Sequence, residues 1–221
     1  MTRTEIINYV TAKLGLTDSA TQTLAGTFVD ARHAMIWNEE NWRQTRYQET
    51  VAVTSGTQDI TLGANCEFVI AARWADRYEL LPTSGAAALQ MNAMGYDTGG
   101  PVLGFEPLGK DTSGNCKIRL LQIPQQSANL LVLGKRKVLA LSGSDTPPIP
   151  GEDQALCEFV MADLYEWLRQ ASKAQYYLGK AGILLQKMKD IETAQSGEIR
   201  RIIPQEQVLD SRLHWPDSMT W

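Results

Sequence analysis

Few residues in this 221-residue chain carry reactive chemistry. There are two histidines, His33 and His214, and three cysteines, Cys66, Cys116 and Cys157. A structural or catalytic metal needs several His, Cys or carboxylate ligands at short, fixed spacings. Neither histidine has a second histidine or a cysteine at such a spacing, so no metal is expected. Cys66 and His33 are the residue types of a thiolate nucleophile and its base, yet nothing supplies an orienting third group or an oxyanion motif. Gly99-Gly100-Pro101 lacks the Gly-Lys-Ser/Thr pattern of a phosphate cradle. Glu39 and Glu40 adjoin on a predicted helix and read as a solvated face, not an acid–base pair. Lys135-Arg136-Lys137 is a compact basic run on a predicted strand. It reads as a charged edge that deters further strand pairing, with contact to DNA phosphates as its other use. The expectation is a protein that is not an enzyme and that holds no cofactor and no metal.

Bulk properties narrow the class further. The net charge of −4 and a pI near 5.3 oppose non-specific nucleic-acid affinity, which requires clustered Lys and Arg. No apolar run approaches the roughly 20 residues that cross a bilayer, so no membrane partner is expected. The N-terminus, with Glu5 and Asn8 among its apolar positions, is not a signal peptide. An odd number of widely spaced cysteines fits a reducing compartment.

The elements that would position these residues are legible from their periodicity. Thr2 and Glu5 have capping-box spacing ahead of Ile6, Val10 and Leu14, and Gly15 is a natural stop. A second helix opens at Ser19, with Gln22 three residues on, and carries Leu24, Phe28, Ala31 and Met35 toward Trp37 and Trp42. Those two tryptophans read as packing residues at a domain junction. From about Tyr47 the period becomes strand-like. Val51 and Val53, a turn at 55–58, then Ile60 and Leu62 predict one hairpin; 68–74 and 78–81 predict another. A short helix over 84–94 precedes strands at 103–108, 117–123 and 130–139, with a turn at 111–114 between the first two. Pro147, Pro148 and Pro150 then stop regular structure, and Gly151, Glu152 and Asp153 suit a helix start. That helix carries Leu156, Val160, Leu164, Trp167 and Ala171. Ser172 and Gln175 predict a capping box for a second helix, with Tyr177, Ala181, Leu184, Met188 and Ile191 on its apolar face. The expected fold is α+β: an antiparallel helical bundle from helix pairs at 1–46 and 146–196, a β-rich insertion at 47–145, and an extended C-terminal tail at 197–221. Beyond Gly197 the regular period stops, although Ile199, Ile202, Ile203, Leu209, Leu213, Trp215 and Trp221 keep the tail apolar. Such a tail predicts either a partner or a return across its own domain.

The segment PPIPGEDQALCEFVMADLYEWLRQASKAQYYLGKAGILLQKMKDIETAQSGEI resembles the C-terminal helical hairpin of tailed-bacteriophage head-to-tail adaptor proteins, also called connector, tail accessory or gatekeeper proteins. The proline stop, the acidic helix start, a late aromatic residue and the paired tyrosines of the second helix carry the resemblance. MTRTEIINYVTAKLGL and AMIWNEENWRQTR, followed by strands and YELLP, are similar to the front half of that family. The resemblance covers about Thr4 to Ile203; the β block matches by layout only, and QEQVLDSRLHWPDSMTW matches no family pattern.

The resemblance implies a structural virion protein at the head–tail junction, made in the host cytoplasm. It would form a homo-oligomeric, dodecameric ring between the portal protein and a downstream tail or nozzle protein, with transient, non-specific contact to viral DNA in its lumen. The tail would dock on the portal, through Arg200, Arg201, Ile202, Ile203, Leu213, Trp215 and Trp221. Tryptophans suit this as anchors, and the arginines as partners for carboxylates. Other readings are a different virion ring, such as a head-completion or tail-terminator protein, a small-molecule enzyme on a helical bundle, and a nucleic-acid-binding regulator. The missing catalytic constellation opposes the enzyme, and the acidic balance opposes the regulator.

Overall fold

The computed structural model describes residues 1–74, 78–87 and 101–196. Helix α1 spans Arg3–Leu14 and begins with the expected box: the Glu5 amide donates to Thr2 Oγ1, and the Thr2 amide to Glu5 Oε2. It stops at Gly15, whose φ of +70° is open to glycine at little cost. The first-turn amides of Arg3 and Thr4 donate to the carbonyls of Asp145 and Gly143, so the loop ahead of the C-terminal helices caps the N-terminal one. Helix α2, Ser19–Glu39, opens at Ser19 as the sequence predicts, and Asp18 is its cap, accepting from the Thr21 amide. A 3-10 turn, Arg43–Thr45, leads into the strands.

Among the described residues seven strands follow: β1 Arg46–Val53, β2 Asp59–Thr61, β3 Cys66–Trp74, β4 Tyr78–Pro82, β5 Gly104–Lys110, β6 Cys116–Leu120 and β7 Ala128–Arg136. They form one mixed sheet in the order β1-β7-β3-β4-β5-β6-β2, antiparallel except for the parallel β4–β5 pair. β3 and β4 pair as the sequence predicts, and so do β5 and β6 about a turn in which the Ser113 and Asn115 amides donate to Asp111 Oδ1. The predicted β1–β2 hairpin does not form. Its turn exists, but β1 pairs with β7 and β2 with β6, so consecutive strands become the two rims of the sheet. The short turn between them holds those rims near each other, and the sheet curls into a nearly closed barrel. Glu49 on β1 bridges the seam, accepting from the Gly63 amide at 3.0 Å and from the Tyr47 hydroxyl. Tyr47, Ile60, Trp74, Leu80, Phe105, Ile118, Leu130 and Val132 fill the interior. At Gly134 an added Cβ would lie 2.4 Å from the Phe68 carbonyl oxygen, so only glycine lets β3 and β7 approach there.

Helices α3, Glu152–Trp167, and α4, Ala171–Ser196, come next in the chain. The capping box predicted at Ser172 and Gln175 is absent, because the helix has already begun at Ala171. The junction is instead a left-handed stop: Arg169 has φ +57°, its amide donates to the Glu166 carbonyl, and the Gln170 amide donates to Tyr165.

The class is α+β, but the expected antiparallel helical bundle with a β insertion is corrected. The organising element is the nearly closed seven-stranded barrel, and the helices do not close a bundle of their own. α1, α2 and α3 pack together, whereas the α4 backbone runs closely along α3 alone. α3 is buried on nearly every side, taking α2 through a bidentate Arg32–Asp163 pair and α4 through stacked Tyr165 and Tyr177. α4 reaches α2 through a Glu39–Lys189 ion pair and α1 through Lys13, which lies over the Tyr177 ring. Of the helix predicted over 84–94, residues 84–87 are described, and the chain is helical at 85–87.

Candidate functional site

The basic run is not a solvated edge. β7 is an inner strand, paired with both β1 and β3, and Lys135 is buried on its outer face under the end of α2. Its Nζ donates to the Glu40 carbonyl at 2.8 Å, so it serves the last carbonyls of α2 from within the protein. Burial holds its ammonium below the usual lysine range. Trp37 donates from Nε1 to the Arg136 carbonyl, and Trp42 to Ile36, so both tryptophans are packing residues at this junction. Lys137 donates to the Gly114 carbonyl.

His33 and Cys66 are not brought together as a nucleophile and base. His33 faces Glu152 at 2.5 Å from Nδ1 and the Leu139 carbonyl at 3.0 Å from Nε2, with the His33 and Glu152 side chains 2% and 0% exposed. Burial opposes the imidazolium, but the Glu152 hydrogen bond and charge, with the Leu139 carbonyl, outweigh it and raise the imidazole above its ordinary value. Cys66 sits in the barrel core beside Cys116, its thiol pushed up to about 12 by burial and then by Cys116. Burial likewise pushes Cys157 up to about 11. Neither is a ready nucleophile. No group of three or more potential metal ligands occurs among the described residues, and no helix among them is long and apolar enough to cross a membrane. Glu39 pairs with Lys189 in the open, as a solvated face should.

The surface that stands out belongs to α4. Its inward stripe is Tyr177, Ala181, Leu184 and Met188, as the sequence predicts, but Ile191 does not continue it. Glu192 turns inward instead, accepting from the Arg43 amide at 2.9 Å, and Ile191 faces out. Tyr176, Ile183 and Ile191 are 59%, 60% and 52% exposed. Their spacing, with Lys173, Lys180 and Lys187, steps by three and four along one side of the helix. The result is an outward line of alternating lysine and apolar side chains about 27 Å long, at 1.5 Å per residue. Lys180 Nζ lies 4.8 Å from the Tyr176 ring centroid, a cation–π contact along that edge of the stripe.

Beside the stripe, Tyr9 of α1, Cys157 and Glu158 of α3, and Lys180, Ile183 and Leu184 of α4 line a groove of about 410 Å³. The second apolar stripe was present in the spacing of 176, 183 and 191. The His33–Glu152 pair left no such signal, because its members lie far apart in the chain. Arg200, Arg201, Ile202, Ile203, Leu213, Trp215 and Trp221 lie outside the described residues, as do His214, Gly99 and Gly100. A scan against protein-family models matches none. No curated protein matches the sequence.

Proposed function

We propose that this chain is a structural assembly subunit: a head-to-tail adaptor of a tailed-bacteriophage virion, located at the head–tail junction. In this reading copies join in a ring between the portal protein and the downstream tail protein, DNA passes through the lumen, and residues 197–221 dock on the portal. The outward stripe of α4 is the observation that carries an assembly role. Three large apolar side chains on one helix face, each at least half exposed and spaced by lysines, favour a protein neighbour over free solvent. The identity of that assembly comes from the resemblance of the helical segments. A ring requires two different faces of each subunit to meet repeatedly until the rotation closes. The α4 stripe is suited to be one of them.

The test is co-sedimentation with portal rings of the same phage. The full chain is expected to pellet with the rings, and a chain ending at residue 196, shown folded by circular dichroism, is expected to stay in the supernatant. Ile183→Glu, at an exposed position, should bind portal with fewer copies per ring at unchanged melting temperature. Failure of the full chain to associate refutes the adaptor. A salt-sensitive shift of DNA at low protein concentration would favour the regulator instead.

A further inference from the structure

Part of the barrel wall is joined by side chains where the main-chain ladder stops. Over residues 66–71, β3 pairs with β7 on one side, but on the other side β4 reaches only Ala72–Trp74. Among the described residues, β5 and β6 supply side chains to that open stretch instead. Cys116, the first residue of β6, donates from Sγ to the Glu67 carbonyl at 3.0 Å and to the Cys66 carbonyl at 3.4 Å. Lys110 of β5 pairs with the Glu67 carboxylate at 2.6 Å. A thiol is a weak donor, so this seam is held lightly.

A second thiol stands at the same place. Cys66 and Cys116 are 50 positions apart in the chain, yet their thiols are neighbours in the barrel and each is close enough to hydrogen-bond the other. The backbones of β3 and β6 approach within 8 Å, near the span of about 7 Å that a disulfide bridges. The two cysteines differ in access. Cys66 is enclosed at 0% exposure, whereas Cys116, at 5%, lines a pocket of about 140 Å³ together with Phe68, Pro107, Ile118, Lys110 and Lys117. That space admits a molecule as small as hydrogen peroxide. Susceptibility to oxidation follows access, so the first attack belongs to Cys116 and Cys66 is placed to resolve it.

We propose that Cys66 and Cys116 form a peroxide-sensitive dithiol whose oxidation locks β3 to β6. The Cys116 thiolate attacks one oxygen of hydrogen peroxide, the O–O bond breaks, and the departing hydroxide takes up the thiol proton, leaving a sulfenic acid and water. The Cys66 sulfur then attacks the Cys116 sulfur. The S–S bond forms, the S–O bond breaks, and hydroxide leaves as water with the Cys66 proton. Together the two sulfurs give up two electrons, and one peroxide becomes two waters. The bond replaces the weak thiol contacts of the seam with a covalent one. This goes beyond the adaptor reading and does not rest on it, since it concerns the barrel of a single chain whatever its partner.

Peroxide treatment of the folded full chain tests this, followed by catalase, unfolding in the presence of a maleimide, and peptide mapping. The expected product is a Cys66–Cys116 link within one chain, with Cys157 recovered as the alkylated thiol. Links that include Cys157, or links between chains, would mean that oxidation needs an opened chain and would overturn the proposal. Cys66 and Cys116 recovered as free thiols, or as unlinked sulfinic acids, would overturn it too. The order of attack has its own readout. Cys66→Ser should accumulate a dimedone-trapped sulfenic acid at Cys116, and dimedone labelling of Cys66 in Cys116→Ser should be about tenfold lower; equal labelling refutes the assigned roles. Should either variant fail to fold, the map of the parent chain decides alone. The closed loop of 50 positions should raise the melting temperature of the oxidised chain by about 10 °C. Dithiothreitol, which leaves methionine sulfoxide untouched, should reverse that gain. A melting temperature that is unchanged or lower would sink the lock.

Discussion

His33 is held from both ring nitrogens, by the Glu152 carboxylate on one side and the Leu139 carbonyl on the other. A carbonyl accepts only, so Nε2 carries a proton, and a second proton on Nδ1 makes a buried imidazolium–carboxylate pair. The folded imidazole titrates above its unfolded value of about 6.5. Its contribution is therefore complete below that unfolded value and is lost as pH rises through the folded one. Urea unfolding of the parent chain and of His33→Leu should show the gap between them narrowing as pH rises above about 6.5. A gap that is constant or widens with pH would contradict the charged pair. Glu152→Leu should cost about 1–3 kcal/mol near pH 6, because it leaves the His33 imidazole and the buried Ile149 amide without their acceptor. The same carboxylate accepts from the Ile149 amide, so the side chain that meets His33 also fastens the start of α3.

Between α3 and α4 the chain reverses on a left-handed arginine. Arg169 adopts φ +57°, where its Cβ crowds the backbone and glycine does not. Arg169→Gly should stabilise the protein by about 1 kcal/mol and raise the melting temperature by about 2–4 °C, read by calorimetry. A loss of stability would mean that the arginine side chain holds the turn by contacts. This junction shows what sequence can and cannot convey. Local devices were legible: the Thr2–Glu5 box, the Gly15 stop and the turn at Asp111 need only neighbouring residues. Ser172 and Gln175 have the right types for a cap, but the helix already starts at Ala171. The β1–β2 hairpin failed for a different reason. Val51, Val53, Ile60 and Leu62 alternate correctly, yet alternation says which face is buried and nothing about which strand lies alongside. Partner choice here depends on curling the whole sheet. In α4, the sequence continued the inward stripe to Ile191, whereas Arg43 supplies a donor that draws Glu192 inward instead. No periodicity encodes a donor about 150 residues away. The candidate groove was hidden for the same reason, since it draws on three helices.

Two apolar clusters, one among the helices and one inside the barrel, meet at the end of α2. Trp37, Lys135 and His33 cross that boundary by hydrogen bonds to the Arg136, Glu40 and Leu139 carbonyls. Few other links are needed for the halves to unfold together, because each crossing group is buried. Lys135→Ala should cost about 1–3 kcal/mol, since the Glu40 carbonyl loses a charged donor. The loss should register equally by far-ultraviolet circular dichroism, which follows the helices, and by tryptophan fluorescence. Separation of the two transitions in the parent chain would show that the halves are independent. The barrel sets one more condition on the molecule. With its outermost strands turned toward each other, it has almost no open main-chain ladder that another polypeptide can extend. Any companion must be recognised through side chains, so its identity is written in a few surface positions that can be rewritten while the scaffold stays the same.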